Sequence, residues 1–315
     1  MTIEIDGSAS GPLERVPAER ARNAARRTLR GTKFALLRAL AAVCEPMSRY
    51  GLVRAKKHVG ILSFHRVAPA VPGAAGLTWN TTPDLFRRQL AGLLQLGFEP
   101  WPLRRLLSAL ADGRELPPRA FVVTIDDGYA NIHDYAWPIL RELKVPATVL
   151  LVTQFIDKDT PFPFDDWSDK GRQDVPPDRW MPLSSAQIRA MMADPLIEFG
   201  SHTHWHKDYR SDPAALSRDL ADSLVYLRTQ FGIDAPSFAF PYSAINDAMV
   251  KVVRASGVRC ALSGRGRVLT GPGADPFLLG RFSVDEFENS KTLSLKLDGW
   301  YDWLKQYSPS QPTPQ

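Results

Sequence analysis

Three of the chain's six histidines fall within five residues, His202, His204 and His206, in the stretch EFGSHTHWHKDY. Imidazoles this close suit a shared divalent cation, and His202 and His206, four apart, can face one way on a helical turn. On a turn His204 would point elsewhere, whereas an extended segment would bring all three to one face. A second candidate lies upstream, where the apolar run AFVVTI (120–125) ends in Asp126-Asp127-Gly128. Two adjacent carboxylates at a strand end repel each other and lose hydration, so they need a cation or a hydrogen-bond cage. Read alone, the tripeptide is also an ordinary Asp-Gly turn. With the histidines it becomes part of a ligand set, because two imidazoles and one carboxylate leave an open position for water on a catalytic ion. The other carboxylate is then free to act as base, and the chemistry is hydrolysis of a polarised carbonyl or phosphoryl group.

Strands and helices must carry these groups, and from residue 58 apolar runs of strand length alternate with helix-period segments. Strands are expected at VGILSF (59–64), AFVVTI (120–125), ATVLLV (147–152), LIEF (196–199), FAF (238–240), CALS (260–263) and LLGRFSV (278–284). One helix opens at Thr82-Pro83-Asp84 and stops at Gly97, and another lies near YAWPILRELK. A third runs through Leu216, Leu220, Leu224, Leu227 and Phe231 to Gly232, and a fourth from Asn246 to Gly257. This alternation means a parallel sheet, either open and doubly wound or closed into a barrel. No glycine-rich phosphate loop follows a strand, which removes the main reason to prefer a nucleotide-binding open sheet. Between 157 and 182 lies an irregular insertion rich in Pro, Asp and Trp. Trp167 and Trp180 could lay flat faces against sugar rings, or simply anchor a surface excursion.

With 315 residues and 44% hydrophobic content, the chain can bury the core of one large domain or two small ones. Cys44 and Cys260 form no disulfide framework and no metal-type pair, which leans towards a reducing compartment. No run of about 18 apolar residues is present, so no membrane-spanning helix is expected. Residues 1–57 hold twelve Lys/Arg against five Asp/Glu, so the arm carries +7 of a chain total of +5 and the remainder is slightly acidic. That distribution argues against nucleic acid as a partner of the main body. In the arm, Phe34, Leu37, Leu40, Ala41 and Cys44 form an apolar stripe at helical spacing, interrupted by Arg38 too far from the start for a signal peptide. It reads as a basic surface helix that either lies on an anionic membrane face or packs its stripe on the parent domain. Residues 1–18 and the tail SPSQPTPQ are expected to be disordered.

Four segments together resemble the polysaccharide deacetylases, also called NodB-homology carbohydrate esterases. TIDDG (124–128) is similar to the family's T-F-D-D-G, and HTHWH (202–206) to its H-[ST]-x-x-H. FAFPYS (238–243) resembles the F-A-Y-P-Y-G form of its third motif, and GILSFHRV (60–67) an I-L-x-Y-H-R-V segment of one branch. The resemblance spans about residues 58–290. It implies a distorted (β/α) barrel of about seven strands, here with an N-terminal basic helical extension: extension 1–57, catalytic domain 58–307, tail 308–315. It also implies roles: Asp126 as general base, with Asp127, His202 and His206 holding one divalent ion, zinc first, with cobalt, nickel or manganese as alternatives. Tyr242 would give its backbone N–H to the oxyanion. His65 would be the general acid, because His206 is the last histidine and the late His of some branches is missing. Arg281, in LGRFSV, would orient the base, since the Arg of many members' third motif is Ala239 here. Ser243, Phe240 and Ser63-Phe64 also depart from the family pattern and bear on the substrate pocket.

The expected activity is removal of an N-acetyl or other N-acyl group from an amino sugar of a polysaccharide, oligosaccharide or lipid-linked glycan, within surface-polysaccharide synthesis. An alternative is a catalytically silent, glycan-binding barrel, which would have no use for a desolvated carboxylate pair. A glycosidase would need two carboxylates about 5–10 Å apart across a bond, which adjacent residues fit poorly. The expected partners are an N-acylated amino-sugar glycan and, through the arm, the membrane periphery, and the expected location is the cytoplasm at the inner membrane face.

Overall fold

The computed structural model describes residues 15–50, 57–71, 79–164, 176–264 and 269–300. Its centre is a barrel-like sheet built in chain order from β1 (Val59–Phe64), β2 (Ala120–Ile125), β3 (Ala147–Leu151), β4 (Ile197–Ser201), β5 (Ser237–Ala239) and β6 (Cys260–Ser263). Each strand pairs in parallel with the next, for example Val59 with Ala120, Ala147 with Ile197, and Ser237 with Cys260. The run Leu279–Ser283 then closes the sheet. Its first half, β7 (Leu279–Gly280), pairs with β6, and its second half, β8 (Phe282–Ser283), pairs with β1. Arg281 sits at the switch between the two. This is the distorted (β/α) barrel expected, and the seventh stave is the single LLGRFSV segment.

Strand alternation decides what faces the barrel axis. Ile61, Val122, Leu150, Ala239 and Leu262 pack together inside the barrel with Trp101, Leu103 and Leu106. Leu103 and Leu106 belong to a helix, Leu103–Ala111, which follows the short strand Glu99–Pro100 beside the start of β2 and so plugs the N-terminal end. The opposite parity, Leu62, Phe121, Val123 and Val149, faces an outer layer that contains Phe86, Leu90, Ile139 and Ile188. Further along the inward parity come Ser63 and Thr124, and then His65 and Asp126 just past the strand ends. The interior thus changes from apolar at the plugged end to polar at the open C-terminal end, where parallel barrels place their sites.

The helices follow their sequence signals. Thr82, Asn246 and Asp212 cap helices Pro83–Gln95, Asp247–Ala255 and Pro213–Phe231, each side chain accepting a backbone N–H of the first turn. The YAWPILRELK helix occupies Trp137–Leu143 and is entered through a π-helical turn, Ile132–Ala136. Helices at Leu103–Ala111, Ser185–Met192 and Ser290–Leu297 were not anticipated.

The arm contains a 35-residue helix, α1 (Arg15–Arg49), whose first turn lies in the segment expected to lack structure. The predicted stripe is docked rather than free. Ala41 and Cys44 pack on Leu295, Phe34 stacks on Phe287 at 6.2 Å, and Arg38 Nη2 donates to the Phe287 carbonyl at 2.6 Å. A different face, with Leu29, Leu36 and Val43, is exposed, as is Tyr50 just past the helix. Among the described residues no helix is long and apolar enough to cross a membrane. Residues 1–14, the tail 308–315 and Trp167 lie outside the described residues. Trp180 packs against the main core and does not line the cavity; Phe164, from the start of the same insertion, does.

Candidate active site

A cavity of about 250 Å³ opens at the C-terminal end of the barrel and is lined by all seven residues singled out from sequence: His65, Asp126, Asp127, His202, His206, Tyr242 and Arg281. Backbone ladders run one residue beyond the strands to fix them. Asp126 N–H donates to the Phe64 carbonyl at 2.9 Å and His202 N–H to the Leu151 carbonyl at 2.8 Å.

Asp126 keeps the inward parity of β2 and meets Arg281 in a bidentate pair, with Nη1 to Oδ1 at 2.6 Å and Nη2 to Oδ2 at 2.7 Å. Arg281 Nη1 also donates to Thr124 Oγ1 at 3.1 Å. Burial opposes the charged form of Asp126, but the guanidinium outweighs it and holds the carboxyl below its ordinary range. His65 Nε2 stands 3.9 Å from Asp126 Oδ2. Burial pulls the His65 pKa down and outweighs the two nearby aspartates, so its neutral form is favoured.

Simple alternation would send Asp127 outwards, into the helical layer. Its φ of 71° and that of Gly128, 88°, turn the chain back so that both aspartates face the cavity. The φ of Gly128 is one that favours glycine, and a β-carbon there would also push on Leu151 Cδ2 at 2.8 Å. Asp127 Oδ1 then lies 3.4 Å from His202 Nε2 and 3.4 Å from His206 Nε2. Burial works against its charge, but the flanking imidazoles of His202 and His206 hold its pKa well below the carboxylate range.

The two histidines do not share a helical turn. They stand on an irregular loop with Thr203 at φ 72° and His206 at φ 55°. His204 points away, its Nδ1 2.8 Å from Thr153 Oγ1, and takes no part in the cluster. The loop is held from beneath by a residue that the motif reading missed. Asp219, buried on Pro213–Phe231, accepts the N–H of His204 at 2.6 Å and of Trp205 at 3.1 Å, together with the Tyr209 hydroxyl. Ser223, one turn on, pairs with Ser201 at 2.8 Å. The signal was present, because Asp219 and Ser223 interrupt the apolar Leu216–Leu220–Leu227 face of an amphipathic helix. A polar side chain there must find a buried partner.

Whether these residues fit a cation is a question of donors and orphans. Asp127, His202 and His206 each offer one ligand atom, all within 4.8 Å of one another. Nitrogen–oxygen separations of 3.4 Å are those of neighbours around an ion with bonds of about 2.1 Å. His202 Nδ1 faces the Ala239 carbonyl at 2.9 Å, which fixes the tautomer whose Nε2 lone pair points at the cluster. Asp127 Oδ1 is buried without a hydrogen-bond partner. Burial drops His206 to about 3, so it is neutral at neutral pH. Burial also disfavours charge on His202, but the Asp127 carboxylate 3.4 Å away outweighs it and raises its pKa. A divalent cation would replace a proton there and satisfy the orphaned oxygen, so the set fits a metal.

Tyr242 lies in the turn Pro241–Ser243 after β5, in the left-handed region with φ 55°, its ring 4.6 Å from that of His206. Ser243 is left-handed too, at φ 54°, which is why glycine suits this position in the related motif.

Comparison with known proteins agrees with this geometry. A family model described as polysaccharide deacetylase matches residues 113–261. Over that span the chain is similar to the polysaccharide deacetylases. The chain is 26% identical over 260 residues to a poly-beta-1,6-N-acetyl-D-glucosamine N-deacetylase of Staphylococcus epidermidis, covering 76% of this chain and 83% of that one. A protein of the same name from Staphylococcus aureus (strain MSSA476) is 24% identical over 199 residues, 60% of this chain and 62% of the relative. The fold matches IcaB from Ammonifex degensii (TM-score 0.64, 21% identity, 78% of this chain and 98% of that one). It also matches the Streptococcus pyogenes deacetylase PplD in complex with acetate (TM-score 0.62, 20% identity, 76% and 98%). His65 and Arg281 fall outside the matched family span, so their placement rests on the barrel that brings both ends of the chain to Asp126.

Proposed function

We propose that this protein is a metal-dependent N-deacetylase acting on N-acetylated amino sugars of a glycan, with a β-1,6-linked N-acetylglucosamine polymer or its lipid-linked precursor as the substrate class. The observation that carries this reading is the buried Asp127–His202–His206 triangle beside an Asp126 held by Arg281, at the open end of the barrel. The names of the staphylococcal relatives support the substrate class.

A divalent ion on the triangle, zinc by its nitrogen-rich donors with cobalt, nickel or manganese as alternatives, would supply Lewis-acid polarisation of the amide and a more acidic water. Asp126, aligned by Arg281 and outside the ligand set, takes a proton as the water oxygen adds to the carbonyl carbon. The Tyr242 N–H faces the oxygen on which negative charge develops. His65, neutral and 3.9 Å from Asp126 Oδ2, receives that proton and passes it to the nitrogen as the C–N bond breaks, leaving acetate and a free amine. The alternative of a silent glycan-binding barrel leaves the Asp126–Arg281 clamp and the orphaned Asp127 oxygen without a purpose. Acetate release from β-1,6 N-acetylglucosamine oligomers with added zinc or cobalt, with mass spectrometry of the products, tests the proposal. No loss of acetyl mass with any of these metals would refute it.

For the location, the proposal is the cytoplasmic face of an anionic membrane, with the exposed α1 face of Leu29, Leu36 and Val43, and the adjoining Tyr50, as the contact. Co-sedimentation with phosphatidylglycerol vesicles should fall when Leu36 and Val43 are changed to Glu. Unchanged sedimentation would remove this contact.

A further inference from the structure

Trp79 is an anomaly that neither the motifs nor the fold explain. Its φ is 72°, a left-handed conformation disfavoured by any β-carbon and rare for a bulky aromatic. It is also 51% exposed, so burial does not account for the choice of tryptophan. Its surroundings hold the strain in place. Arg66 N–H donates to the Trp79 carbonyl at 3.0 Å, and Arg66 and Val67 pair in parallel with Asn80 and Thr81. The Asn80 side chain grips Ala68 from both sides, accepting its N–H at 3.2 Å and donating to its carbonyl at 3.1 Å. Val67 N–H is fixed in turn by Asn131 Oδ1 at 3.0 Å. Backbone strain that is overdetermined in this way, at the edge of a site, is a pointer to function.

The indole lines the cavity, its ring centroid 4.7 Å from that of His65. Across the barrel the loops after β3 and β5 bring a second aromatic wall, with Phe164 4.0 Å and Tyr242 4.6 Å from the ring of His206, which follows β4. Apart from Tyr50, just past the end of α1, the exposed aromatic side chains among the described residues are Trp79, Trp205 and Tyr242, and all three lie on the cavity or its histidine loop. Large aromatics left half bare and clustered at one opening mark a recognition surface. A pyranose ring presents a flat face of C–H groups that complements the indole face.

We infer that Trp79 is a substrate-contact residue, a rigid wall on the His65 side that receives the sugar ring whose amide is cleaved. The inference rests on the glycan N-deacetylase reading above. Because glycine adopts this backbone freely, Trp79→Gly separates contact from folding: losing a packing residue lowers stability, whereas losing a strained contact residue does not. Kinetics on a β-1,6 N-acetylglucosamine pentamer with the zinc-loaded full chain provide the test. The expected result is KM raised about tenfold in Trp79→Gly with kcat within about threefold, as for loss of one aromatic contact. Trp79→Phe should restore most of the affinity, and the Tm of the glycine variant should be no lower than that of the parent. An active parent with unchanged KM in Trp79→Gly would overturn the role of Trp79 alone. A glycine variant that loses Tm and kcat together would reduce Trp79 to a packing residue and overturn it as well. A parent that releases no acetate from the pentamer would overturn the glycan reading, and the inference with it.

Discussion

Two adjacent aspartates have opposite tasks because one left-handed residue separates their directions. Asp126 continues the inward parity of β2 into a bidentate arginine, while Asp127, at φ 71°, turns to the histidines. The pair itself was legible in the sequence, since carboxylates at a strand end need compensation, but the positive φ that aims Asp127 was not. Arg281 is the counter-charge of the base. Arg281→Ala should leave Asp126 buried and unpaired, raise its pKa and lower kcat about 100-fold, with metal content retained. Arg281→Lys should recover only part of this, because an ammonium cannot reproduce the two-pronged geometry. Steady-state acetate release with parallel metal analysis distinguishes the two outcomes, and metal loss in Arg281→Ala would show that the arginine supports the ligands instead.

Strand periodicity placed every barrel element within a few residues, because buried parallel strands read as near-continuous apolar runs. The exception is instructive. LLGRFSV reads as one strand, yet it splits around Arg281 to pair with β6 on one side and β1 on the other. Closure is a tertiary fact that periodicity does not encode. The histidine loop is a similar case. Its ligand spacing was legible, but its shape comes from Asp219 on a distant helix, which ties down two backbone N–H groups and a tyrosine hydroxyl. Asp219→Ala should therefore weaken zinc affinity by about 10–100-fold without touching a ligand, as loss of supporting bonds around a metal site does. Competition with a chelator measures this, and unchanged affinity would mean that the loop holds its own shape.

For the molecule as a whole, the element left open was α1, whose composition announced a basic surface helix with two fates for its apolar stripe, of which docking on the domain is the one adopted. Near its end Glu45 and Asp298 share Arg119, at 3.8 Å and 3.5 Å. Burial pushes the Asp298 carboxyl up to about 6, with Arg119 offsetting only part of the cost. The folded protein therefore binds a proton more tightly here than the unfolded chain, in which a carboxyl titrates near about 3.9. This group's contribution to stability is fully present below about pH 4 and is lost as the pH rises through about 6, a change of about 2–3 kcal/mol. In Asp298→Asn the fall in stability between pH 4 and 6 should flatten, as read by urea unfolding at several pH values. An unaltered slope would show that Asp298 is charged throughout. Such a buried pair, remote in sequence and joined only by docking, leaves no local pattern to read.

Metal stoichiometry compared among the parent, Asp126→Asn and His202→Ala tests the central claim most directly. The account predicts one zinc or cobalt ion per chain in the parent and in Asp126→Asn, with turnover lost in the latter, and no bound ion in His202→Ala. An unchanged ion content in His202→Ala, or loss of the ion in Asp126→Asn, would contradict it.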